Sequence, residues 1–233
     1  MRILGIIPAR GGSKGVPGKN IKLLGEFPLL AYTAKSALAS KYLSKVILST
    51  DCYDIANVAK QFGIEVPFMR PEYLATDTAS SIEVVQHAVS FFENQGEFFD
   101  AVCLLQPTAP FRMNGFIDQA IQKFINDKSD ALVSVLPVPH EFNPHWVFEP
   151  NEEGLLKIAT GEAEIIKRRQ ELPKAFFRDG SVYITKTEVI KEGSFYGNQL
   201  SYLENNPDFY VNIDTLNDWE IALSKLPLIK SLL

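Results

Sequence analysis

Short apolar runs alternate with amphipathic segments along the first 137 residues of this chain, and that alternation restricts the fold more than any other feature. Residues 3–7 are apolar, rich in isoleucine and bounded by Pro8, as a buried strand should be. Residues 29–39 read as a helix, and residues 46–50 as a second buried strand ending at Asp51. Residues 53–62 set Ile55, Val58, Ala59 and Phe62 on one helical face before Gly63 stops the helix. Residues 80–92 repeat the pattern, with Ser80 or Ser81 as N-cap and Glu83 in the first turn. Strands at 101–105 and 131–136 flank a helix at 114–124. Alternation of this kind predicts an α/β fold with a doubly wound, mostly parallel sheet. Such sheets bind ligands beyond the carboxyl ends of their strands. The 8–20 loop, Asp51 and residues 106–112 therefore belong on one rim.

The pattern breaks between residues 137 and 177, where Pro137, Pro139, Pro144, Pro150 and Pro173 interrupt short polar runs. This stretch reads as an arm leaving the main sheet. Strand character returns at 181–185 and 209–213, and a helix at 215–225 follows. A single domain over 1–233, with an arm inserted at about 137–177, is the economical description. The arm carries Trp146, Val147, Phe148, Phe176 and Phe177, which are costly to leave in water, so it is expected to form a homodimer contact.

The loop after the first strand reads PARGGSKGVPGKN from Pro8 to Asn20. Gly11, Gly12, Gly15 and Gly18 let backbone N–H groups approach a ligand, and Arg10, Lys14 and Lys19 supply charge. A solvated basic loop is the bland alternative. Against it, the chain as a whole carries a net charge of −5, so the cations are concentrated here. The same net charge argues against a nucleic-acid binder, which would show a basic stripe. The loop is neither of the common phosphate signatures. A P-loop would close on Gly-Lys-Ser/Thr, whereas this one closes on Gly18-Lys19-Asn20, and Gly11-Gly12-Ser13 lacks dinucleotide spacing.

With 233 residues, 46% of them apolar and 22% charged, the chain can bury a substantial core. Its two cysteines, Cys52 and Cys103, lie beside apolar runs and suggest no disulfide framework. The N-terminus reads as a strand rather than a signal peptide, and no apolar run reaches transmembrane length. A cytoplasmic protein without membrane contact is expected. His87, His140 and His145 form no metal-ligand pattern.

Ala9-Arg10, Ser13-Lys14-Gly15, Pro17 and Lys19-Asn20 resemble the nucleotide-binding signature of the acylneuraminate cytidylyltransferases, the CMP-sialic acid synthetase family. Four later segments extend the resemblance from about Ile3 to Trp219. It implies a nucleotidyltransferase-like Rossmann variant with a small dimerisation arm. It further implies Mg²⁺-dependent transfer of CMP from CTP to a sialic-acid-like nonulosonic acid. Arg10, Gly11, Ser13, Lys14, Lys19 and Asn20 would then meet the nucleotide, with Arg10 and Lys19 also serving the chemistry. Arg70 and Ser81, around the Thr76-Asp77-Thr78-Ala79-Ser80-Ser81 run, resemble the residues lining the family's cytosine and ribose pocket. The capping of a helix would also explain this Ser/Thr cluster.

Residues 104–112, LLQPTAPFR, look like the family's LQPTSPLR segment, in which the glutamine, here Gln106, meets the acyl-sugar. Synthetases for 3-deoxy-octulosonate have a metal-binding aspartate soon after that glutamine, where this chain has Pro107 and Thr108. Arg168-Arg169-Gln170-Glu171-Leu172-Pro173 and Asp179-Gly180-Ser181-Val182-Tyr183 are similar to the family's RQxLP and NGxxY patterns, implying that Arg169 and Tyr183 bind the sugar acid. A bidentate arginine suits its carboxylate. The family's arm crosses to a neighbouring subunit, so the resemblance also offers Arg169 to the partner's site. Asp179 stands where many members have asparagine. Asn212-Ile213-Asp214 matches the family's metal-binding Asp-x-Asp only at its second position, leaving Asp214 as the implied Mg²⁺ ligand and catalytic carboxylate. N-capping of the last helix would account for Asp214 equally well. The rivals are an octulosonate cytidylyltransferase, a sugar nucleotidyltransferase using UTP, and a nucleotide-binding regulatory module without turnover.

Overall fold

The first apolar run forms β1 (Ile3–Pro8) in the computed structural model, which describes residues 1–229 and Ser231. A small hairpin, β2 (Leu23–Leu24) and β3 (Phe27–Pro28), leads into α1 (Leu29–Ala39). Next come β4 (Lys45–Ser49), α2 (Tyr53–Gln61), α3 (Ser81–Glu93), β5 (Ala101–Leu104), α4 (Phe116–Asp127) and β6 (Ala131–Pro137). The order continues with β7 (Phe148–Pro150), β8 (Leu156–Ile158), β9 (Phe176–Lys186), α5 (Thr187–Lys191), β10 (Leu200–Glu204) and α6 (Leu216–Ile229). The main sheet runs β10-β6-β9-β5-β1-β4. β1 lies parallel between β4 and β5, and β9 runs antiparallel to β5. This is the mixed, mostly parallel α/β sheet that the alternation predicts.

Strand order decides where a ligand can sit. The chain crosses from β1 to β4 on one side, then returns to place β5 on the other. The crossovers diverge between β1 and β5, which opens a crevice beyond their carboxyl ends. Both faces of β1 are covered. Ile3 and Ile7 join one buried cluster with Leu30, Ala34, Ile55, Ala59, Ile121 and Phe124, while Leu4 and Ile6 on the other face are also fully buried. Each such side chain contributes about 1.5–3 kcal/mol of transfer free energy. That rigid sheet fixes the strand ends to which the loops are attached.

A second cluster joins Val16 of the glycine-rich loop to Leu24, Phe111, Phe209, Val211, Ile213 and Trp219. It draws the loop, the segment after β5 and the approach to α6 together. Residues 209–213, expected as a strand, are not one. A 3₁₀ turn at Pro207–Phe209 precedes irregular chain, tied to the rim by the Ile213 N–H on the Thr108 carbonyl at 2.8 Å. Phe209, Val211 and Ile213 do alternate inward, but no neighbouring strand supplies a ladder. β10 escaped the sequence reading because it lies at the sheet edge with alternating exposed residues and no apolar run.

The chain divides into two compact units, Met1–Ser134 with Asp179–Leu233, and Val135–Arg178. The second unit contains the antiparallel β7–β8 hairpin. Within it, Trp146 donates its indole N–H to the Ile166 carbonyl at 2.7 Å, and Asn143 donates to the Pro173 carbonyl at 2.9 Å.

Candidate active site

A cavity of about 390 Å³ opens between the ends of β1 and β5 in the larger unit. Its wall takes Arg10, Ser13, Lys14, Lys19 and Asn20 from the glycine-rich loop, Arg70, Asp77 and Ser81 from the approach to α3, Gln106 from the end of β5, and Asp214. Segments far apart in sequence thus meet in one polar, cation-rich crevice. A larger cavity, about 730 Å³, is mainly apolar, and its Lys35 ammonium lies over the Phe27 ring.

The loop is held in place mainly by its own backbone and by Asn20. The buried Asn20 side chain donates to the Arg10 carbonyl at 3.0 Å, and the Gly11 N–H donates to Asp51 Oδ1 at 2.9 Å. Asn20 lines the cavity but its amide braces the loop, and Gly11 is bound to Asp51 without lining the cavity. Gly18 takes the left-handed φ of 64° that starts the turn bearing Lys19. Gly15 has a different task. A β-carbon there would collide with the Asp214 carbonyl oxygen, so only glycine lets the phosphate-type loop touch the segment that carries the carboxylate.

Lys19 is 11% exposed, with Nζ 2.6 Å from the Ile213 carbonyl and 3.2 Å from Asp214 Oδ1. Arg10 and Lys14 behave differently. Both pair with Asp77, Arg10 at 2.7 Å, and Arg10 also donates to the Thr76 carbonyl at 2.7 Å. Hydrogen bonding to Lys14 first, and to Arg10 next, holds the Asp77 carboxyl below its ordinary range. Sequence reasoning assigned Asp77 no role. The contact exists only because two loops some sixty residues apart face each other, as the Arg10–Thr76 separation of 66 positions shows.

Arg70 is buried, with Nε on Ser49 Oγ at 3.0 Å and Nη2 on the Ser49 carbonyl at 2.5 Å. Burial lowers its guanidinium to about 10, opposed by Asp51 and reinforced by Arg10, so it remains a cation at neutral pH. Ser80, not Ser81, caps α3. Ser80 accepts from the Glu83 N–H at 3.4 Å, and its own N–H donates to Glu83 Oε2 at 3.0 Å, a reciprocal capping box. Ser81 is therefore left to face the cavity as the first helical residue.

Gln106 sits on a floor built by Arg112, a residue quoted in the sequence motif but given no role there. Arg112 is 1% exposed and donates to the Gln106 carbonyl at 3.0 Å, to the Ser181 carbonyl at 2.8 and 3.0 Å, and to Thr33 Oγ1 at 2.9 Å. Its guanidinium is lowered to about 10 by burial and supported by Asp179. Asp179 is itself buried, bound to Ser134, to the Ser181 N–H at 2.9 Å and to Asn205 at 2.6 Å. Gly180, at φ 81°, leaves room for the Gln106 side chain, since a β-carbon would come within 3.2 Å of its Oε1. Tyr183 is placed differently from the other expected site residues. It lies buried in β9 opposite Leu104 and does not line the cavity. Arg169 opens an exposed 3₁₀ turn in the smaller unit, Arg169–Glu171.

Asp214 is not the cap of α6. Thr215 and Asp218 close that helix, the Thr215 N–H donating to Asp218 Oδ2 at 2.8 Å and the Asp218 N–H to Thr215 Oγ1 at 3.2 Å. The Asp214 side chain, 60% exposed, points instead to Lys19 and accepts from the Asn212 amide at 2.6 Å. Among the described residues no three His, Cys, Asp or Glu side chains group as a metal-ligand set. One carboxylate with an amide oxygen still suits a hard cation that keeps waters and takes further oxygens from a phosphate. By donor type the residues at 212 and 214 could hold Mg²⁺, with the Asp214 oxygens occupied in this structure by the Lys19 ammonium and the Asn212 N–H.

The model of the cytidylyltransferase family matches residues 4–210. The CMP-N,N′-diacetyllegionaminic acid synthase of Legionella pneumophila is 39% identical over 95% of both chains. A pseudaminic acid cytidylyltransferase of Campylobacter jejuni is 36% identical over 95% of both. The N-acylneuraminate cytidylyltransferase of Escherichia coli is 32% identical over 96% of this chain and 52% of its own length. Among solved structures, a CMP:2-keto-3-deoxy-manno-octonic acid synthetase complexed with CTP superposes with a TM-score of 0.73 at 15% identity, over 98% of this chain and 99% of that one. Family model, relatives and fold agree: the chain belongs to the cytidylyltransferase family.

Proposed function

We propose that this protein activates a sialic-acid-like nonulosonic acid with CTP, giving the CMP-sugar and pyrophosphate. The observation that carries the reading is the convergence of Arg10, Lys14, Lys19, Arg70, Gln106 and Asp214 on one crevice at the β1/β5 divergence. Relatives matched over 95% of both lengths include a synthase of CMP-N,N′-diacetyllegionaminic acid and a cytidylyltransferase of pseudaminic acid, which supports a nine-carbon sugar acid.

In this reading the sugar's anomeric hydroxyl attacks the α-phosphorus of CTP. A new oxygen–phosphorus bond forms, the bond to the β-phosphate oxygen breaks, and the hydroxyl proton passes to solvent or a nearby base. Phosphoryl-group chemistry of this kind rests on positioning and charge stabilisation. Arg10, Lys14 and Lys19 neutralise the triphosphate, Arg70 and Ser81 hold the base and ribose, and Gln106 orients the sugar. Asp214, whose Oδ2 accepts from the Asn212 amide in this structure, is where Mg²⁺ would be held. That ion, when bound, supplies charge neutralisation at the phosphates. Arg169, in the smaller unit, is the candidate partner for the sugar carboxylate, and Tyr183 lies in β9 without lining the cavity.

We further read the protein as a cytoplasmic homodimer. Both cysteines are free, as in a reducing compartment, and among the described residues no helix is long and apolar enough to cross a membrane. Purified protein is tested with CTP, Mg²⁺ and a panel of acids: N-acetylneuraminic, N,N′-diacetyllegionaminic, pseudaminic and 3-deoxy-octulosonic. Pyrophosphate release is expected with CTP and a nine-carbon acid. Release only with the eight-carbon acid, or with UTP in place of CTP, overturns the assignment.

A further inference from the structure

Asp77 has a position that the transfer reaction does not require. Its carboxylate takes two of the three loop cations, Arg10 at 2.7 Å and Lys14, while the third, Lys19, is engaged by Ile213 and Asp214. Asp77 lies in the cavity wall with those cations. Its segment is anchored on both sides. Arg10 Nη1 donates to the Thr76 carbonyl at 2.7 Å, the Ala79 N–H donates to Thr76 Oγ1 at 3.1 Å, and the Ser80–Glu83 box follows. A carboxylate oxygen and a phosphate oxygen seek the same charged N–H donors with similar geometry. Lys14 is 81% exposed and reaches back to Asp77 rather than out to solvent. The anion-binding part of the crevice is thus filled by an anion of the protein's own.

We propose that Asp77 is an internal competitor of the triphosphate, holding Arg10 and Lys14 while the crevice is empty and surrendering them when a polyphosphate enters. It thereby sets the affinity of the site for the phosphate chain. The proposal rests on the reading of the crevice as a CTP site, although its central test uses an anion that carries no base. A polyphosphate can displace Asp77 because it offers several oxygens and more charge. Removing the Asp77 charge should therefore strengthen anion binding. Were Asp77 instead needed to arrange the two cations for the ligand, its removal would weaken binding, so the sign of the change separates the roles.

The full-length wild type, Asp77→Asn and Asp77→Glu are titrated calorimetrically with inorganic pyrophosphate, CTP, UTP and cytidine, without divalent metal. Asp77→Asn keeps the side-chain shape and removes its charge. It should bind pyrophosphate and CTP about fivefold tighter than wild type. Cytidine, which carries no phosphate, should bind all three proteins equally, and Asp77→Glu should stay within about twofold of wild type. Pyrophosphate affinity that is unchanged or weaker in Asp77→Asn, or absent from both proteins, overturns the proposal. A wild type that binds pyrophosphate but shows no preference for CTP over UTP counts against the CTP reading alone.

Discussion

Asp214 precedes a helix that two neighbouring residues cap without it. Thr215 and Asp218 satisfy the N-terminus of α6 between them, so the Asp214 carboxylate contributes nothing to capping. Asp214→Asn should therefore leave thermal stability almost unchanged while reducing turnover by about 100-fold or more. Asn212→Asp should stay active and lower the Mg²⁺ concentration for half-maximal rate, because two carboxylates attract the ion more strongly than one. Titrating Mg²⁺ at fixed CTP reads both outcomes, and an Asp214→Asn enzyme of near wild-type rate would place the metal elsewhere. Arg112 makes the opposite case. Its three carbonyl and hydroxyl acceptors lie in the interior, so Arg112→Met should strand the Ser181 and Gln106 carbonyls. A loss of about 3 kcal/mol in urea unfolding is expected. The cationic residues of the loop were legible from type and spacing, whereas Arg112 and Asp77 were not. Their partners come from distant segments, and no local pattern reports such a pairing.

Among the elements, the glycine-rich loop depends on one close approach more than on its general mobility. Gly15→Ala would press a methyl group into the Asp214 carbonyl, which is backbone and cannot swing aside. The loop or the 212–215 segment must then shift, separating the phosphate cations from the carboxylate. A displacement near 1 Å can cost about 100-fold in rate, so kcat/KM for CTP should fall by at least about tenfold. Gly12→Ala is the matched control, since no atom lies within 4 Å of its added carbon and its backbone angle is ordinary, and it should keep activity within about twofold. Steady-state kinetics with CTP varied compares the two, and equal effects would remove the special status of Gly15. Most elements were readable because helices such as α2 and α3 announce their faces and stops locally. Residues 209–213 misled for a physical reason. Alternating burial is what a strand needs, yet an extended chain lying on a core without a ladder partner produces the same pattern.

At the scale of the whole molecule, the sheet order brings every cavity residue from one unit, while Arg169 belongs to the other. The Val135–Arg178 unit also exposes Phe142, Phe148, Leu155, Leu156 and Ile165, two of them on the β7–β8 strands themselves. Apolar side chains gathered on so small a unit favour cover by a second copy. Light scattering at micromolar concentration should give twice the 26.1 kDa chain mass, and a clean, fully active monomer would refute the dimer. The proposed role of Arg169 at the sugar carboxylate then poses a sharper question, whether it acts in its own subunit or in the partner's. Arg169→Ala and Lys19→Ala should each be nearly inactive alone. If the arm crosses, a mixed dimer contains one site with both Lys19 and the partner's arginine intact. Random mixing makes half the dimers mixed, so activity should return to about a quarter of wild type after unfolding and co-refolding. If Arg169 serves its own subunit, both sites of the mixed dimer stay defective, and no activity returns.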